Sequence, residues 1–102
     1  MIHVVADLRA TPGNREKLVE AFKALLPEVY AEEGCIYYEP ATGVSAGLDP
    51  EPDVDEDVVT MIERWESVEH LKVHLDAPHM HAFREKNAGL IAGIVVRVLE
   101  AR

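Results

Sequence analysis

The stretch Met61–Phe83, MIERWESVEHLKVHLDAPHMHAF, constrains the fold more than any other part of this chain. It continues an apolar, β-branched segment, Val58–Trp65, that reads as a strand. Ser67 then supplies a helix N-cap, and the helix it opens ends near Asp76. Pro78 starts a further helical segment, because proline suits a first helical position. A strand thus runs into a helix that restarts at a proline. The stretch holds the only Trp and four of the five His, so candidate chemistry concentrates here.

The remaining segments follow the same logic of period and punctuation. Residues 2–9 alternate, with Ile2, Val4, Ala6 and Leu8 on one face and His3, Val5, Asp7 and Arg9 on the other, which is a strand. Thr11-Pro12 reads as the start of a helix, with Thr11 as N-cap. Leu18, Val19, Phe22, Leu25, Leu26 and Val29 form one helical stripe. Pro27 removes a backbone donor and predicts a kink or a lost hydrogen bond. Gly34 reads as the C-cap of that helix. Cys35–Glu39 is a second strand, fading near Val44 into a Gly- and Pro-punctuated acidic loop that runs to Asp57. The segment opened by Pro78 extends to about Leu90, with Met80, Phe83, Leu90 and Ile91 on one stripe. Ile94–Leu99 is the last strand.

The order β-α-β-β-α-β, with its second helix split, predicts an α+β, ferredoxin-like fold with an antiparallel sheet. The strands are apolar on both faces, while the helices cover one. The second face calls for another cover, and in a chain of 102 residues a second subunit is the expected one. A homodimer packed through its sheet faces follows.

Composition narrows the partners. A net charge of −9 opposes binding to nucleic acid or to an anionic membrane surface. No apolar run approaches the roughly 20 residues that span a bilayer. The N-terminal segment, with Asp7 inside it, reads as a strand and not as a signal peptide. A single cysteine, Cys35, excludes an intramolecular disulfide, and a cytoplasmic location is expected. Neither flavin nor nicotinamide fingerprints are present, nor a Gly-rich phosphate loop.

Glu63-x-Trp65-x-Ser67, His74-Leu75, Pro78-His79 and Phe83 resemble the pattern of the antibiotic biosynthesis monooxygenase family. Pro12-Gly13, Glu33-Gly34-Cys35 and the apolar C-terminal strand extend the resemblance over nearly the whole chain. The resemblance implies a dimeric α/β barrel of ferredoxin-like subunits and, in some members, oxygenation without a cofactor. It implies a small electron-rich aromatic and O2 as substrates. In the anthrone oxygenases of the family a Trp matching Trp65 works with an Asn four residues earlier, where this chain has Met61. A Tyr in the following helix is replaced by Leu71. A substrate-site Arg matches Arg84 with a one-residue gap. The Trp and His of the haem-degrading branch fall at His74 and Arg84, so haem degradation is not implied. The 44–57 loop is longer and more acidic than the family pattern.

Oxygenation without a cofactor requires an apolar cavity, a base of near-neutral pKa and donors for a substrate anion. His74 is the candidate base, against a surface or interface role. Trp65 is the candidate cavity wall and indole donor, against a core role. Tyr37 and Tyr38 point to opposite faces, so one should face the helices and the other the partner sheet. Either hydroxyl can serve a site, as can His79, Arg84 and Asn87, the last on an apolar stripe. A metal set from His70, His74 and Glu66, with His79 and His81 following, is opposed by the absence of HExxH and of a Cys pair. No metal or cofactor is expected. Asp53-x-Asp55-x-Asp57 departs from a calcium loop at Val58 and Arg64. A binding module without enzymatic activity, using the same cavity, is the alternative that the missing Asn supports.

Overall fold

Alternation along the first segment becomes strand β1, Ile2–Ala10, in a computed structural model that describes residues 1–102. Ile2, Val4, Ala6, Leu8 and Ala10 are all buried. Strand β2 is Cys35–Ala41, β3 is Val58–Trp65 and β4 is Ile91–Glu100. They form one antiparallel sheet in the order β2-β3-β1-β4. Ala6 lies opposite Met61 on one side and Val96 on the other, and Tyr38 lies opposite Glu63. Directly opposed residues share a face. Val4, Ala6, Leu8, Tyr38, Met61, Glu63 and Trp65 therefore line the inner face, and Ile94 and Val96 continue it at the edge.

Three helices cover that inner face: α1 (Arg15–Tyr30), α2 (Val68–Leu75) and α3 (Pro78–Lys86). The stripe of α1 buries Leu18, Val19, Phe22, Leu25 and Val29. Phe22 meets Phe83 of α3 with ring centroids 4.6 Å apart. Burial of such side chains, worth about 1.5–3 kcal/mol each, holds the helices on the sheet. The Tyr30 hydroxyl donates to Tyr38 O and accepts from Tyr38 N, both at 2.9 Å, which joins the end of α1 to the edge strand β2.

Several boundaries differ from the sequence expectation. Helix α1 begins at Arg15, not after Thr11. Gly13 takes a φ of +80°, and Asn14 Nδ2 donates to Thr11 Oγ1 at 2.7 Å, so Thr11–Asn14 is a turn ahead of the helix. Pro27, which has no N–H to donate, lies in the last turn of α1, and the helix runs on to Tyr30. Gly34 is not the helix cap but lies in the turn beyond it, at φ +83°. Helix α3 stops at Lys86, where Asn87 Nδ2 donates back to Phe83 O at 2.9 Å. A 3-10 turn, Ala88–Leu90, follows, and Ile91 belongs to β4. Strand β2 ends at Ala41 and does not reach Val44.

The loop between β2 and β3 has no helix or strand. Two of its acids have defined partners. Glu51 accepts from the backbone of Ala46 and Gly47, which holds its carboxyl below the usual range. Asp55 pairs with Arg9 at 2.7 Å, and that hydrogen bond keeps its pKa low. No helix is long and apolar enough to cross a membrane.

Candidate active site

The inner face is not filled completely. Between the sheet and helices α2 and α3 lies an apolar cavity of about 160 Å³. Val4, Ala6, Leu8 and Met61 form its floor, Phe22, Leu71, Met80 and Phe83 line it from the helices, and Ile91, Ile94 and Val96 lie along its β4 side. Four lining residues carry ionisable side chains: Tyr38, Glu63, His74 and Arg84.

His74 reaches the cavity because α2 is set by Ser67. The Ser67 hydroxyl accepts from His70 N at 3.2 Å, which starts the helix one residue later and turns Leu71 and His74 inward. His74 is 1% exposed. Its Nδ1 donates to Glu32 Oε2 at 2.7 Å, across 42 residues of sequence. The ring packs against Trp65, with centroids 4.5 Å apart, and edge-on to Tyr38 at 5.4 Å. Burial pushes the His74 pKa below its ordinary value, although the Glu32 hydrogen bond works in the opposite direction. The ring is neutral near neutral pH, with its proton on Nδ1 toward Glu32 and no protein group bound to Nε2.

Glu63 projects from the inner face of β3 into the same cavity and is 6% exposed. Trp65 Nε1 donates to its Oε1 at 2.9 Å. Burial is the main cause that raises its pKa to about 7; the negative Glu32 adds to it and the indole donor opposes it. Tyr38 is pushed upward mainly by burial, so its hydroxyl remains protonated.

The candidates named from sequence divide clearly by position. Tyr38, His74 and Arg84 line the cavity. Arg84 also donates to Leu75 O at 2.8 Å. Trp65 is fully buried but is not a cavity wall: it lies behind Glu63 and His74, with its N–H occupied by Glu63. Tyr37 falls opposite Arg64 on the outer face, where it stacks with the guanidinium and bonds to Glu39. His79 lies outside the cavity, with Nε2 bonded to Glu32 Oε2 at 2.9 Å. Asn87 is buried at the end of α3, its amide engaged with Phe83 O. His70 turns to the Ser67 hydroxyl at 2.6 Å, so it does not converge with His74. Burial, with help from Glu32, raises the half-buried Cys35 thiol to about 11, which makes it a poor nucleophile.

Two residues of the site were missed, Glu63 and Glu32. An acid at the inward positions of an alternating strand, 59, 61, 63 and 65, is the signal that could have marked Glu63. Nothing local marks Glu32, because its partners come from the distant α2 and α3.

A ferredoxin-like α+β sheet with a histidine and a carboxyl buried at one apolar cavity defines a small-molecule site on a widely used fold. The family model for antibiotic biosynthesis monooxygenase matches residues 1–86, and the chain belongs to that family. It is 36% identical over 102 residues to the Escherichia coli (strain K12) protein named "Probable quinol monooxygenase YgiN", covering 98% of this chain and 97% of that one. The crystal structure of PA3566 from Pseudomonas aeruginosa superposes with a TM-score of 0.80 at 25% identity, covering 99% of this chain and 93% of that one. The structure of Rv0793 from Mycobacterium tuberculosis gives a TM-score of 0.77, also at 25% identity, with 99% and 94% covered.

Proposed function

We propose that this protein is a monooxygenase that oxidises a one-ring quinol with O2, without a cofactor, and works as a homodimer. The observation that carries the reading is His74, buried at an apolar cavity with its Nδ1–H donated to Glu32. A carboxylate on Nδ1 selects the tautomer whose Nε2 carries a lone pair, which is the requirement for a base. Deprotonating a quinol hydroxyl there gives an anion that reduces O2 against an apolar wall. The reaction balances when one oxygen atom enters the ring to give a hydroxyquinone and the other leaves as water. Glu63 is the second group that handles a proton, and Tyr38 and Arg84 are donors for substrate oxygens. Trp65 acts as a positioning residue through Glu63 and His74.

Size supports a single ring. The 160 Å³ cavity is comparable with cavities of about 150 Å³ that admit benzene. A three-ring anthrone would need a larger space. The name of the Escherichia coli relative agrees with a quinol. The dimer is supported by apolar residues left without a cover: Val95 is 66% exposed and Leu99 45%, on the outer face beside Val5.

Met61 supports a second reading, a binding module without turnover, because it places a thioether in the cavity where the anthrone oxygenases have an amide. Oxygen uptake with a panel of quinols and anthrones, with and without chelator, separates the readings. The oxygenase predicts uptake with one-ring quinols that survives chelation, with a hydroxyquinone product. A retained, unreacted aromatic ligand in the purified protein, with no uptake across the panel, would favour the binding module.

A further inference from the structure

We propose that Glu32, His74 and His79 form a binding site for a divalent transition-metal ion of the Zn2+ type. The residues come from three places in the fold: the turn after α1, the last turn of α2 and the first turn of α3. Glu32 Oε2 receives His74 Nδ1 at 2.7 Å and His79 Nε2 at 2.9 Å. The three ligand atoms lie within 4.8 Å of one another. An ion about 2.1 Å from each ligand in a tetrahedral arrangement would set them about 3.4 Å apart. The two contacts to Glu32 therefore have to open by about 0.7 and 0.5 Å from their present 2.7 and 2.9 Å. The Glu32 and His79 side chains are 12% and 20% exposed, so they have room to adjust and an ion can arrive from solvent.

The donor set is the second argument. Two imidazole nitrogens and one carboxylate oxygen make a set that takes zinc with a fourth position left for water. The third argument is the surroundings. Glu28 Oε2 lies 3.9 Å from His79 Nδ1, the nitrogen that an ion on Nε2 would leave free. A carboxylate there is the partner that orients a metal-bound imidazole and raises its basicity. Glu33 adjoins the cluster, while Arg84 is the opposing cation near His74. Acidic groups thus outnumber the positive one around the site, which favours a cation.

This site is separate from the oxygenase reading, although the two share His74. Where that reading holds, an ion on Nδ1 places the ring's one proton on Nε2 and removes the lone pair, so loading the site would silence turnover.

Titration of chelator-stripped protein with Co2+, followed by visible absorption, tests the binding without any substrate. The expected result is one ion per chain, with the intense bands of a four- or five-coordinate site, displaced by Zn2+. His79→Ala and Glu32→Ala should each weaken binding by roughly tenfold or more, and His81→Ala should not change it. His79→Ala alters a partly exposed side chain, so it tests the site even where Glu32→Ala unfolds the protein. The proposal is overturned by the absence of stoichiometric uptake, or by uptake that His79→Ala leaves intact. Uptake lost in His81→Ala also overturns it, because the ion would then sit on the exposed His81–Asp76 pair.

Discussion

Glu63 is a carboxyl group held at a cavity with one hydrogen-bond donor, and its cost can be read as a function of pH. Its ordinary pKa is 4.5 and its folded value about 7. Between these values the unfolded chain has lost the proton that the folded chain retains. Stability therefore falls as pH rises from about 4.5 to about 7 and is level above that, by on the order of 3 kcal/mol in all. Glu63→Gln keeps an oxygen for the Trp65 indole and removes the titration. The variant is expected to be more stable than the parent at about pH 8 and nearly equal to it at about pH 4, as measured by urea midpoints. On the proposed oxygenase reading, His74→Ala is expected to lower kcat by about 10²-fold or more, with the fold verified by circular dichroism. Glu32→Gln should act on the same step with a smaller loss, since an amide oxygen still accepts from Nδ1.

The α2 helix and the turn before β2 form a coupled element. Gly34 has a left-handed φ, and a Cβ placed there would lie 2.3 Å from the His70 ring. His70 in turn bonds to the Ser67 cap. Gly34→Ala is expected to lose about 1–3 kcal/mol, from backbone strain and from displacement of His70. Ser67→Ala should lose about 1 kcal/mol by leaving a helix donor unpaired. Both follow from thermal or denaturant unfolding, and because the two sites share His70 the double variant should lose less than the sum. The Ser67 cap and the extent of β3 could be read from the sequence, because a cap residue and a two-residue period are local signals. The start of α1 could not, because Thr11-Pro12 satisfies the rules for a helix start while Gly13 takes a left-handed conformation that delays it.

At the level of assembly, the sheet presents Val5, Ile62, Val95 and Leu99 on the face turned away from the helices. The β4 residues Ile94 and Val96 remain 59% and 48% exposed at the side of the cavity. A second copy packed on the sheet would cover the outer residues and bury apolar surface that water now meets. Val95→Lys places a charge in that contact and is expected to give a monomer by size-exclusion chromatography with light scattering, with the parent running as a dimer. A variant that stays dimeric would place the interface elsewhere.

Element type and order, and the concentration of chemistry in Met61–Phe83, are legible from residues alone, because periodicity, caps and prolines act within a few positions. That Tyr37 and Tyr38 diverge is equally local; which of them meets the helices is not, because it depends on the register of β2 against β3. The site itself is a matter of distance in space. Glu32 meets His74 and His79 only when three helices close over one sheet face, and Glu63 acquires its raised pKa only when that closure removes water. Trp65 stands behind the cavity and not in it for the same reason: packing between layers, which no sequence interval encodes, decides which buried side chain faces a void and which supports it.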